Sequence, residues 1–124
     1  MLVDTNIAVA LWVDSERTAA AHRLFELDPD WCSEAFLLVE FANVMATFVR
    51  RQLAAEREAL ELLRNAEALF EGRLVEVAHG LCLSTAVHYG VSAYDARFLT
   101  VAERTGQQLV TEDARLRRAA PALT

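Results

Sequence analysis

Four short apolar runs, set apart by paired helical patterns, constrain this chain more than any other feature. The runs are Met1–Val3, Trp31–Ser33, Leu74–Val77 and Gln108–Thr111, and each reads as a strand. The intervening stretches carry helical patterns and caps. Ile7–Val13 follows Thr5 or Asn6 as cap, and Ser15–Leu27 is capped by Ser15. Glu34–Arg51 is nearly continuous in apolar residues, which predicts burial on most sides. Ala55–Phe70 has a wet side (Glu58, Glu61, Arg64, Glu67) and a dry one (Leu62, Leu63, Ala66, Leu69), and ends at Gly72. His79–Tyr89 closes at Gly90, a helix capped by Ser92 runs to Thr105 and closes at Gly106, and Asp113–Ala119 is the last. Strands alternating with helices over short loops predict an α/β fold with a parallel sheet. Met1–Val3 is so short that only a central place in that sheet would support it.

A length of 124 residues with 54% hydrophobic composition suits one domain with one core. With 4 Gly and 2 Pro, no low-complexity stretch or linker divides it, so 1–124 is expected to be a single domain. The formal net charge of -6 disfavours a passive nucleic-acid binder, because phosphate contact needs positive surface. A bound divalent metal would offset that acidity locally. All 12 basic residues are Arg. The lack of Lys excludes Schiff-base chemistry and the phosphate-loop lysine. Cys32 and Cys82 show no metal-ligand spacing and read as small hydrophobes. No basic region precedes the apolar start, and Asp4 interrupts it. The Phe36–Val49 run is too short and too polar for a membrane span. The cytoplasm is the expected location.

Four acids fall in telling places. Asp4 follows the first strand and Asp113 follows the last, at the strand ends where ligands of parallel sheets bind. A helix-cap role accounts for either one taken alone. Glu40 lies mid-helix among Leu37, Leu38, Val39, Phe41 and Val44, with no arginine within one turn. A buried lone carboxylate costs several kcal/mol, so it requires a partner, a proton or a cation. Asp95 lies on the side of its helix shared with Leu99 and Ala102, while Arg97, Thr100 and Arg104 mark the expected wet side. Its spacing from Ser92 also fits a capping box. Gathered acids repel and raise one another's pKa, and a protein gathers them chiefly to hold a cation. Oxygen ligands suit Mg²⁺ or Mn²⁺, and such an ion makes phosphodiester hydrolysis the natural chemistry.

These motifs resemble the PIN-domain family, in particular its VapC-type toxins. Leu2-Val3-Asp4-Thr5-Asn6 is similar to the family's first motif, Glu40-Phe41-Ala42-Asn43 to its second, Ser92-Ala93-Tyr94-Asp95-Ala96 to its third, and Leu109-Val110-Thr111-Glu112-Asp113 to its fourth. The resemblance spans nearly the whole chain. It implies an α/β/α sandwich around a short central parallel sheet of about four strands, with room for only a vestigial fifth after Pro121. It also implies an endoribonuclease holding one or two Mg²⁺ or Mn²⁺ ions on Asp4, Glu40, Asp95 and Asp113. Asn6, Asn43 and Thr111 would orient carboxylates or water. Water would attack phosphorus in line, leaving 5′-phosphate and 3′-hydroxyl ends. A cognate antitoxin and a homodimer are the implied partners, with RNA as substrate.

Arg115 and Arg118, close to Asp113, are candidate phosphate contacts; a solvated helix surface is the plainer role for them. His22, His79 and His88 are scattered and form no ligand pair. Trp12, Phe36, Phe41, Met45 and Phe48 suit a core, while Trp12 and Phe48 are also candidates for an antitoxin groove. Two rival functions stand beside the nuclease. One is a PIN-like RNA- or protein-binding module without catalysis. The other is a different Mg²⁺-dependent phosphohydrolase, whose usual second Asp is replaced here by Asn6.

Overall fold

A computed structural model describes residues 1–124. Its elements are β1 (Leu2–Val3), α1 (Thr5–Trp12), α2 (Thr18–Leu27), β2 (Ser33–Glu34), α3 (Phe36–Arg50), α4 (Glu56–Leu69), β3 (Leu74–Val75), α5 (His79–Tyr89), α6 (Ala93–Thr105), β4 (Leu109–Val110) and α7 (Ala114–Ala119). Their order is the one the apolar pattern predicts, with shorter strands. β1 runs parallel to β4, with Leu2 opposite Leu109 and Val3 opposite Val110. β2 runs parallel to β3, with Ser33 opposite Leu74 and Glu34 opposite Val75. A parallel bridge between Leu2 and Cys32 joins the two pairs, giving the order β3-β2-β1-β4. There, the Val3 N–H donates to the Cys32 carbonyl at 3.1 Å and the Cys32 N–H to that of Met1 at 2.9 Å. The far edge carries one further link, from the Leu109 N–H to the Leu123 carbonyl at 2.7 Å, with no strand formed. The vestigial fifth strand is thus a single hydrogen bond.

Two-residue strands persist because of where they sit. β1 has neighbours on both edges, and Leu2 and Val3 are 0% exposed. They centre the main core, with Ile7, Ala8, Trp31, Leu37, Phe98, Leu99, Val101, Leu109 and Leu116 among its members. A smaller cluster of Phe41, Met45, Ala59 and Ala66 seals α3 against α4. Trp12 and Phe41 meet there nearly at right angles, 5.9 Å between centroids, so Trp12 packs inward, and Phe48 is half-buried against the same cluster. Cys32 and Cys82 are free thiols.

Several local expectations change. α1 is capped by Asp4 rather than Thr5 or Asn6. α2 starts at Thr18, because Ser15 spends its hydroxyl on the Arg17 N–H in a preceding turn. α3 buries only Leu37, Phe41 and Met45, and Val39 is 58% exposed. A helix in an outer layer has one stripe against the protein body, however apolar its remaining sides. Thr100 is fully buried, not wet. Its hydroxyl is satisfied by the Ala96 carbonyl at 2.7 Å and the Thr85 hydroxyl at 3.0 Å, so it can face α5 at little cost.

Arg97 also leaves the expected wet side. Its Nε and Nη2 donate to Glu34 Oε2 at 3.1 Å and Oε1 at 3.3 Å. Glu34 is 0% exposed and takes the Phe36 N–H as well, at 2.6 Å. This two-pronged pair ties the end of β2 and the start of α3 to α6, and the Glu34 carboxylate holds the guanidinium pKa above its ordinary value. Arg97→Ala would strand a buried carboxylate and should cost about 3–5 kcal/mol. Denaturant unfolding checks this; a destabilisation below about 1 kcal/mol would contradict the role given to the pair.

Candidate active site

The strand order reverses beside β1. The chain steps from β1 outward through β2 to β3, then returns to the other side of β1 as β4. A crevice opens at such a switch point, at the carboxyl ends of the strands. Asp4 leaves β1 there, and Asp113 follows β4. α3 contributes Glu40 from its second turn, and α6 contributes Asp95 from its first. All four carboxylates line one cleft of about 540 Å³, together with Thr5, Asn6, Phe36, Asn43 and Tyr94. No arginine or histidine is among the lining residues.

Asp4 is the most constrained of the four. Its Oδ1 accepts from the Ile7 N–H at 3.0 Å, which caps α1. Its Oδ2 accepts from the Thr111 hydroxyl, which also accepts from the Asp113 N–H at 3.0 Å. The carboxylate that caps α1 is therefore also one that lines the cleft. Burial pushes the Asp4 pKa up; the Thr111 and backbone hydrogen bonds oppose this, and the charge on Asp113 adds to it. Asp113 caps α7, its Oδ1 accepting from the N–H groups of Arg115 at 2.9 Å and Leu116 at 3.1 Å.

Glu40 is half-buried at the cleft wall rather than sealed in the core. It has no arginine partner. Its Oε1 accepts instead from the Thr5 hydroxyl at 2.6 Å. Burial raises its pKa first; the Thr5 bond opposes this, and Asp95, Asp4 and Glu34 add repulsion. Asp95 is half-exposed, and its backbone N–H is held by the Ser92 hydroxyl at 3.0 Å.

Among the supporting residues, Thr111 lies as expected against Asp4. Asn6 and Asn43 line the cleft but are exposed. Asn43 is thus not the buried amide that its place in an apolar run implied, since the outer side of α3 is open there. Arg115 lines a groove that shares Ser92, Asp95 and Leu116 with the cleft, whereas Arg118 lies outside both linings. Glu112 is exposed and outside the cleft, which leaves Asp113 as the acid at this edge. Thr5 is the partner that the sequence pattern does not reveal. It stands out there only as a candidate cap, because nothing local links it to an acid 35 positions away.

The donor set is entirely oxygen, from carboxylates, hydroxyls and amides, and suits a hard divalent cation. No three His, Cys, Asp or Glu side chains close into a finished ligand group. That arrangement still fits Mg²⁺, which keeps several waters and takes few carboxylates directly.

Fold and site together define a carboxylate-lined α/β/α domain, and this chain belongs to the PIN-domain family, whose model matches residues 1–121. It is similar to Ribonuclease VapC3 of Pyrobaculum aerophilum, at 31% identity over 127 residues, covering 99% of this chain and 96% of that protein. The crystal structure of PAE2754 from Pyrobaculum aerophilum shares the fold at a TM-score of 0.76, with 24% identity, covering 95% of this chain and 77% of that one.

The raised pKa values of Asp4 and Glu40 carry a sign for stability. The folded chain holds these protons more tightly than the unfolded one. Their contribution is full below the unfolded values, near 3.8 and 4.5, and is lost as pH rises through the raised folded values. In metal-free buffer, the double variant Asp4→Asn/Glu40→Gln should therefore gain melting temperature relative to wild type as pH rises from about 4 to about 8. Thermal melts across that range check it; a wild type that gains on the variant would reverse the assignment.

Proposed function

We propose that this chain is a divalent-metal-dependent endoribonuclease, the toxin of a toxin–antitoxin pair, acting in the cytoplasm as a single nuclease domain spanning 1–124. The observation that carries the reading is four carboxylates opening on one cleft with no cationic side chain in its lining. Such a concentration of negative charge is hard to hold without a cation. Family membership and the likeness to a protein named as a ribonuclease support the same reading.

Asp4, Glu40, Asp95 and Asp113 would hold one or two Mg²⁺ or Mn²⁺ ions. When bound, the metal supplies a water acidic enough to attack phosphorus and positive charge for the phosphoryl oxygen. The protein's own part is orientation. Thr111 and the start of α1 hold Asp4 in one direction, and Thr5 does the same for Glu40. Side chains so held lose little freedom when a cation or phosphate arrives. Asn6 and Asn43, exposed at the cleft, are placed to orient water or substrate. In-line attack would leave 5′-phosphate and 3′-hydroxyl ends. An antitoxin and a second copy of the chain complete the reading. Supporting the latter, Leu81, Leu83 and Val87 leave apolar surface exposed on α5. No helix is long and apolar enough to cross a membrane.

RNA cleavage should require Mg²⁺ or Mn²⁺ and stop on chelation. Asp4→Asn and Asp95→Asn should each keep the fold, as judged by circular dichroism, and lose at least about a hundredfold in rate. Metal-independent cleavage, or full activity in both variants, would overturn the reading; small phosphomonoesters cleaved in place of RNA would favour the rival phosphohydrolase. Arg115 and Arg118 are proposed to bind phosphate beside the cleft. Alanine at each should weaken RNA binding and flatten its salt dependence, the slope falling by about one for each arginine removed. Unchanged salt slopes would remove them from the interface.

A further inference from the structure

The cleft has one wall that the acids do not explain. Tyr94 directly precedes Asp95 in the first turn of α6, and the residue is 63% exposed. It stacks on Phe36 at 5.5 Å between centroids with 18° between planes. Phe36 is itself contacted by the guanidinium of Arg97, whose carbon lies 5.4 Å from the ring centroid. Arg97 is anchored in turn by the buried Glu34. The outermost aromatic ring is thus backed by a column rooted in the core. Both rings line the same cleft as the four carboxylates, and Phe36 with Val39 continues into a neighbouring groove lined by Arg97 and His79.

Exposure alone would be ordinary for one aromatic residue; what sets Tyr94 apart is that its ring is stacked on Phe36 and lines the cleft. What it offers is a flat, uncharged surface at fixed orientation beside acids that repel other anions. An unpaired nucleobase fits that surface: it is neutral and planar, and stacking on an aromatic ring tolerates any base identity. A base within a continuous helix has no free face to offer.

We propose that Tyr94, backed by Phe36, is a stacking platform for an unpaired base of the RNA at the cleavage site. This rests on the endoribonuclease reading and deepens it by naming the residue that would hold a base beside the acids. Tyr94 acts as a base-binding residue and takes no part in the proton or metal chemistry.

The test compares binding of a short oligouridylate with that of a base-free ribose-phosphate oligomer of equal length, by fluorescence anisotropy in Ca²⁺. Wild type should prefer the base-bearing oligomer. Tyr94→Ala should lose about tenfold in affinity for it and little for the base-free one, while Tyr94→Phe behaves as wild type. Equal losses on both oligomers, or none on either, would overturn the platform, and the latter would leave the exposed ring to a protein partner. Circular dichroism of Tyr94→Ala guards against a folding defect, and Tyr94→Leu provides a second non-aromatic replacement with similar bulk. The binding readout does not depend on turnover. Base discrimination through Tyr94 without RNA cleavage would sink the nuclease and keep the platform; cleavage without that discrimination would do the reverse.

Discussion

The carboxylate of Asp4 is the joint on which both fold and site turn. One oxygen starts α1 by accepting the Ile7 N–H, and the other accepts the Thr111 hydroxyl at the end of β4. Asp4 thereby locks together the two strands that flank the switch point. The Asp113 N–H bonds to the same Thr111 hydroxyl, so two site acids share one connector. A residue that would be an ordinary helix cap in another setting becomes a charged group with little freedom of movement. Because it is buried, its charge is costly, and the Thr111 and backbone hydrogen bonds offset part of that cost.

The distribution of charge follows from the same constraint. The chain is acidic overall and concentrates acids in the cleft, while Arg115, Arg117 and Arg118 are exposed on the helix that Asp113 caps. Of these, Arg115 lines the groove that adjoins the cleft. The one deeply placed arginine, Arg97, is already committed to Glu34. Removing basic groups from the cleft keeps the carboxylates free of internal salt bridges, and polar hydroxyls orient them without neutralising them. At Asp4 and Glu40, burial disfavours the charged form that the proposed chemistry would need.

Much of this organisation is legible in the sequence. The order of elements follows from the spacing of apolar runs, and Gly90 and Gly106 mark helix ends where the backbone does turn left-handed. Glu40 and Asp95 stand out as acids on apolar helix sides, and Asp4 and Asp113 as acids at the carboxyl ends of strands, where a cap role alone would also suit them. Less legible are features that depend on distant partners. Arg97 and Thr100 look like surface residues, but an acid 63 positions away claims the first and a threonine on α5 the second. Asn43 and Val39 look buried because their neighbours are apolar, yet α3 turns that side to the cleft and solvent.

The sequence by itself determined the class of fold, the order of its elements and the identity of the four acids. Those depend on local periodicity, capping chemistry and the energetic penalty of misplaced charge, all of which can be read within a few residues. Only the tertiary structure decided which hydroxyls hold the acids, which arginine is committed to the core, and that Phe36 and Tyr94 meet at the cleft mouth. Such pairings join residues far apart in the chain, and it is the return of β4 to the side of β1, followed by the packing of α3 and α6 around that crevice, that brings them within hydrogen-bonding or stacking distance.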